Sequence, residues 1–151
     1  MNDALQVTIW PEPPSMDTGA PHPQLKIQGH VLWPRYVCRN PEFSARVRGA
    51  SLDHPSFDIY CALIRFDGVV CHKFGAPNDE SLHAHPLYSR GLQFYEFHEI
   101  FGSSDLREQK EKRHWIITFH DETFEVIAEK ASVVSRRIEG ENTSAILLSA
   151  N

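Results

Sequence analysis

Alternation constrains this chain more than any other feature, and it is cleanest in HWIITFHDETFEVIA, His114 to Ala128. Successive side chains of a strand point to opposite faces. With Asp121-Glu122 as a two-residue loop, one face of the resulting hairpin reads Trp115, Ile117, Phe119, Phe124, Val126, Ala128 and is wholly apolar. The other face carries His114, Ile116, Thr118, His120, Thr123, Glu125, Ile127 and Glu129. In this register Phe119 faces Phe124, Trp115 faces Ala128, Glu125 lies opposite Thr118 and Glu129 opposite His114. A slip of one residue would mix the faces, so the loop must be even. Asp-Glu is not a favoured type I′ pair, which leaves a four-residue loop as the alternative.

A chain of 151 residues fits a single domain, 1–151, with a core of ordinary size. Its net charge of −5 argues against nucleic acid or an anionic membrane as the main partner. No apolar run is long enough to span a bilayer. The opening MNDALQVTIW has no basic segment followed by a long apolar core, so a cytoplasmic location is expected. Cys38, Cys61 and Cys71 form no C-x-x-C and leave one thiol unpaired, as suits a reducing compartment. Nine dispersed histidines add weight to metal or acid–base chemistry.

Along the chain, Leu5 to Trp10 reads as a first strand. Pro11 to Pro23 has five prolines in thirteen residues and must be a loop. Leu25 to Trp33 reads as one strand with a bulge at Gly29, ended or placed at an edge by Pro34. Phe43 to Ala50 alternates weakly. FDIYCALIRF, Asp67-Gly68 and VVCHKF predict a second hairpin, because a type I′ turn needs positive φ at both central residues. In that pairing Cys61 faces Phe74 and Cys71 faces Ile64; both faces are apolar, so the pair belongs at the centre of a sandwich, with His72 as a satisfied core histidine. Asn78 or Asp79 caps a helical turn over Glu80 to His83, which Pro86 stops. Gln93 to Phe101 is a further strand. Asp105 with Glu108 fits a capping box for a short helix near 105–113. Ala131 to Arg137 and Ala145 to Ser149 read as weaker strands. The expected class is mainly β with a minor helix, an antiparallel sandwich or strongly bent sheet.

The strings NDE at Asn78–Glu80, HPL at His85–Leu87, Gly91-Leu92 and RHWIITFHDETFE at Arg113–Glu125 resemble a family of small uncharacterised bacterial proteins. That family has an HPL…GL stretch, then a helix and an FHD-x-TFE strand pair. The resemblance spans roughly residues 60 to 130 and implies a shared fold. It assigns no activity and no catalytic residue.

No nucleophile elbow, phosphate loop or H-E-x-x-H is present in the sequence. The first reading is therefore a binding or interaction module for a protein or small molecule, with Tyr88 and Arg90 as contacts. The alternative is an enzyme, acid–base or metal-assisted, with Glu96, His98 and His120 as catalytic candidates. Strand pairing between 93–101 and 114–121 would bring these three to one face. His83 and His85 form an H-x-H, the candidate metal ligands if a divalent ion is bound; a cupin site is excluded, since the next carboxylate, Glu96, is too distant. The sequence requires no cofactor and fixes no oligomeric state. A local run of basic residues between Lys26 and Arg48 lacks the aromatic interleaving of a nucleic-acid site.

Overall fold

A computed structural model describes residues 5–39, 60–102 and 111–139. Among the described residues, nine strands form two antiparallel sheets. They are β1 (Gln6–Ile9), β2 (Gln24–Gln28), β3 (Val31–Val37), β4 (Tyr60–Asp67), β5 (Cys71–Gly75), β6 (Phe97–Phe101), β7 (Arg113–Thr118), β8 (Thr123–Ala128) and β9 (Lys130–Glu139). One sheet has the order β1-β6-β7-β8-β5, the other β2-β3-β4-β9. The expected β sandwich is what forms, and among the described residues the only helical elements are two short 3₁₀ turns. Of the helix expected near 105–113, residues 105–110 lie outside the described residues, and Arg113 already opens β7. The strands expected over Phe43–Ala50 and Ala145–Ser149 also lie outside them.

The apolar face of the β7–β8 hairpin makes one wall of the core. Trp115, Ile117, Phe119, Phe124, Val126 and Ala128 are all buried, against Leu32, Tyr36, Ala62, Ile64 and Phe66 from the facing sheet. Phe66 joins the two walls, with its ring 5.3 Å from Trp115 and 5.8 Å from Phe124. Full burial of such side chains stabilises by about 1.5–3 kcal/mol each, which makes this face the main source of cohesion.

The hairpin register differs from the two-residue Asp121-Glu122 loop. Trp115 pairs with Val126, Ile117 with Phe124 and Thr118 with Thr123. The Phe119 N–H donates to the Glu122 carbonyl at 2.9 Å, leaving His120 and Asp121 at the tip. The shift is two residues, so every side chain keeps its face while every partner changes.

The Asp67-Gly68 hairpin does not form. Gly68 has the expected positive φ of 64°. However, β4 pairs with β3 and β9 in one sheet, and β5 pairs with β8 in the other. The segment is a crossing between sheets. It runs beside the second crossing, from β8 to β9, where the Glu129 N–H reaches the Asp67 carbonyl at 2.9 Å. A β-carbon on Gly68 would fall 2.5 Å from the Glu129 side chain, so the glycine also makes room for the neighbouring crossing. β4 is central, as its two apolar faces require. β5 is an edge strand, and His72 is exposed rather than a core histidine.

Gly29 is a turn residue, φ 60°, between β2 and β3, not a bulge within one strand. Pro34 stays inside β3. It lacks an N–H, and the β3–β4 ladder has no paired residues between Leu32–Phe66 and Arg35–Leu63.

Candidate functional site

Strand register determines what shares the outer face of the β1-β6-β7-β8-β5 sheet. Ile116 lies opposite Glu125 on β8 and His98 on β6. His114 lies opposite Ile127 and Ile100, and Lys73 of β5 opposite Glu125. Two isoleucines among histidines, threonines and a glutamate are out of place on a solvated face. They are covered. The loop from Ala76 to Glu96 folds across this face, and its Leu82 and Leu92 form a second buried cluster with Ile100 and Ile116.

Local chemistry shapes that loop. Asn78 caps the 3₁₀ turn Asp79–Ala84 by accepting the Ser81 N–H at 3.0 Å. Pro86 follows it, and a second turn, Tyr88–Arg90, ends at Gly91 with φ 119°. Backbone and threonine groups stitch the loop to the hairpin. The Asp79 N–H donates to the His120 carbonyl at 2.9 Å. Thr123 donates to the Pro77 carbonyl at 2.8 Å, and Thr118 to the Gln93 carbonyl at 2.6 Å.

Beside the apolar cluster the loop and the sheet line a half-open cavity of about 550 Å³. Its walls are largely apolar, from Leu5, Ala76, Pro77, Ala84, Pro86 and Leu87, and its polar groups are Lys73, His85, His114 and Glu125. Glu125 is the centre of the polar end. His85 Nε2 contacts Oε1 directly, and His114 Nε2 stands 3.7 Å from Oε2. The second distance is too long for a hydrogen bond, and it sets the His114 ring beside the carboxylate without bonding to it. Burial raises the Glu125 pKa, but the two imidazoles outweigh it and hold the group down at about 2. His85 is fixed in turn, because its Nδ1 accepts the Leu87 N–H at 3.0 Å. Nε2 is then the nitrogen with a proton to give Glu125. His114 is buried, and its Nδ1 has no partner.

The residues singled out in the sequence are dispersed over this face. His85 lines the cavity; His83, two residues away, is exposed, because the helical turn between them points the rings apart. Strands β6 and β7 do pair. His98 is fully buried there, with Nδ1 bonded to the Ile116 carbonyl and Nε2 accepting the Gln93 N–H, each at 3.0 Å. Burial lowers its pKa, and both ring nitrogens are occupied by backbone. Glu96 accepts the Phe97 N–H at 3.1 Å. His120 sits at the hairpin tip, stacked on Tyr95 and bonded to Asp121 at 2.8 Å. The Asp121 bond raises its pKa, aided by the charge of Asp79. None of Glu96, His98 and His120 lines the cavity. Tyr88 and Arg90 are exposed on the second turn of the covering loop, and Tyr88 meets Phe94 edge-on at 6.2 Å.

Glu125, His114 and Lys73 are the site residues that sequence reasoning did not single out. The signal for the first two was present: Ile116 and Ile127 alternate with them on one face, which marks that face as covered. Among the described residues, no group of three or more His, Cys, Asp or Glu side chains is arranged to hold a metal ion. No helix among them is long and apolar enough to cross a membrane. Compared with family models, curated proteins and solved structures, the chain matches none. The site's chemistry therefore rests on its own geometry.

Proposed function

We propose that this chain is a small-molecule-binding domain, with its ligand held in the cavity between the His85–Leu87 loop and the outer face of β5, β7 and β8. One observation carries the reading: a cavity of about 550 Å³ with apolar walls and a few converging polar groups. That size and composition are those of ligand pockets, typically about 300–1,000 Å³. The three cysteines form no disulfide, in keeping with a cytoplasmic location.

A fragment screen read by methyl NMR tests the proposal. Binders are expected to shift the Ala84 and Leu87 methyls first. Hits clustering only on the exposed Tyr88 and Phe94 side of the loop would instead make it a docking surface for a larger partner.

A second reading is favoured by the His85–Glu125–His114 row, which has the composition of an acid–base site. In that case Glu125→Gln would abolish turnover of a bound compound while leaving its affinity within a few-fold. Neither reading calls for a cofactor. Stoichiometric metal in the purified protein, lost on His85→Ala, would contradict both.

A further inference from the structure

The cavity carries one charge of each sign, and the protein does not join them. Glu125 and Lys73 both line it. They lie directly opposite in the β5–β8 register, so their side chains leave the same face of the sheet from neighbouring positions. Opposite charges so placed ordinarily meet as a cross-strand pair. Here Glu125 is turned to His85 on the covering loop, and the Lys73 side chain makes no ion pair or hydrogen bond with any described residue. His85 does not cancel the charge of the carboxylate. Its Nδ1 accepts the Leu87 N–H, so the ring is neutral and Nε2 donates its one proton to Oε1. Oε2 accepts no hydrogen bond, since His114 Nε2 stands 3.7 Å away. The cavity thus offers an open acceptor and an open ammonium donor from adjacent strands, beside apolar walls from Pro77, Ala84, Pro86 and Leu87. An anion there would meet Glu125 and a cation would meet Lys73. A ligand bearing both charges meets neither repulsion.

We infer that the ligand is a zwitterion with an apolar body, of the class of the apolar α-amino acids, with its ammonium on Glu125 Oε2, its carboxylate on Lys73 Nζ and its side chain against Ala84 and Leu87. Each charge of the ligand then makes a bond that the protein leaves open. Charge-assisted bonds of this kind are about twice as strong as neutral ones. Directly opposed residues of an antiparallel pair have α-carbons roughly 4.5–5.5 Å apart, which suits a head whose two charges stand on one carbon. The inference rests on the small-molecule reading above, not on the acid–base alternative, and adds the class of ligand.

The test uses three probes with one tail and different heads: L-leucine, isocaproate, which lacks the ammonium, and isoamylamine, which lacks the carboxylate. Affinities are measured by calorimetry on the full chain, and the site is located by the Ala84 and Leu87 methyl shifts. Leucine is expected to bind at least tenfold more tightly than either of the others. Lys73→Met should bring leucine to within about threefold of isoamylamine while isocaproate stays the weakest. Lys73 is exposed, so this variant should fold. Glu125→Gln, which keeps the side-chain shape, should do the converse and bring leucine to within about threefold of isocaproate. Isocaproate or isoamylamine binding at these methyls as tightly as leucine, or a leucine preference over isoamylamine that survives Lys73→Met, overturns the zwitterion assignment and leaves the pocket standing. Failure of all three probes to shift these methyls, where hits of the fragment screen do shift them, likewise overturns the zwitterion alone. Where neither the probes nor the screen shift them, both readings fall.

Discussion

Glu125 carries the most consequence of any single residue. A half-buried carboxylate with no Arg or Lys in ion-pair contact would ordinarily be costly. Here two imidazoles hold its pKa near 2, well below the value of 4.5 of a free glutamate. The folded pKa is depressed, so the associated stability is fully present above pH 4.5 and is lost as the pH falls through about 2. At about 1.4 kcal/mol per pKa unit the ceiling is about 3.5 kcal/mol, and partial exposure reduces it. Glu125→Gln should therefore lower stability at pH 7 by about 1–3 kcal/mol in urea unfolding. The gap from wild type should close as the pH approaches 2. A constant gap across that range would show that the loss is steric. The role of Glu125 was half legible in the sequence. Alternation placed it on the outer face with His114, but contact with His85 depends on a loop forty residues away in the chain. Local pattern carries no information on that contact. The surroundings of His98 were hidden for a similar reason: its partners are the Ile116 carbonyl and the Gln93 N–H, which no side-chain pattern reveals.

Among the elements, the faces of β7 and β8 were readable because a strand's side-chain period is two. Their register was not, because a shift of two residues leaves the same faces buried. The Asp67-Gly68 turn shows the complementary limit. A positive φ is a local demand that glycine announces, whereas the sheet each flanking strand joins is decided by partners far along the chain. Gly68→Ala tests what the glycine does there. The left-handed conformation should cost about 1–2 kcal/mol, and the clash with Glu129 should add to it. Adding Glu129→Ala should recover the clash and leave the backbone cost. Full recovery in thermal melts would mean that the φ of 64° carries no penalty.

For the whole molecule, the two sheets bury one strong core, and the Ala76–Glu96 loop buries a second, smaller one on the back of the first sheet. The sandwich itself followed from alternation and turn residues. The second core did not, since it needs a polar loop to supply Leu82 and Leu92 at the right places. Thiol accessibility reports on this architecture. Cys38 and Cys61 are buried and Cys71 is exposed on the edge strand β5. One thiol should react rapidly in the native protein and three after unfolding; fast reaction of Cys61 would contradict the central position of β4. The central claim is that the loop and the sheet line a ligand site, and blocking that site tests it most directly. Ala84→Trp places an indole at the cavity wall, from an exposed position that leaves both cores intact. The compounds that shift the Leu87 methyls of the wild type should bind at least tenfold more weakly to this variant, with its urea midpoint unchanged. Undiminished binding to a variant of wild-type stability would show that the ligand site lies elsewhere.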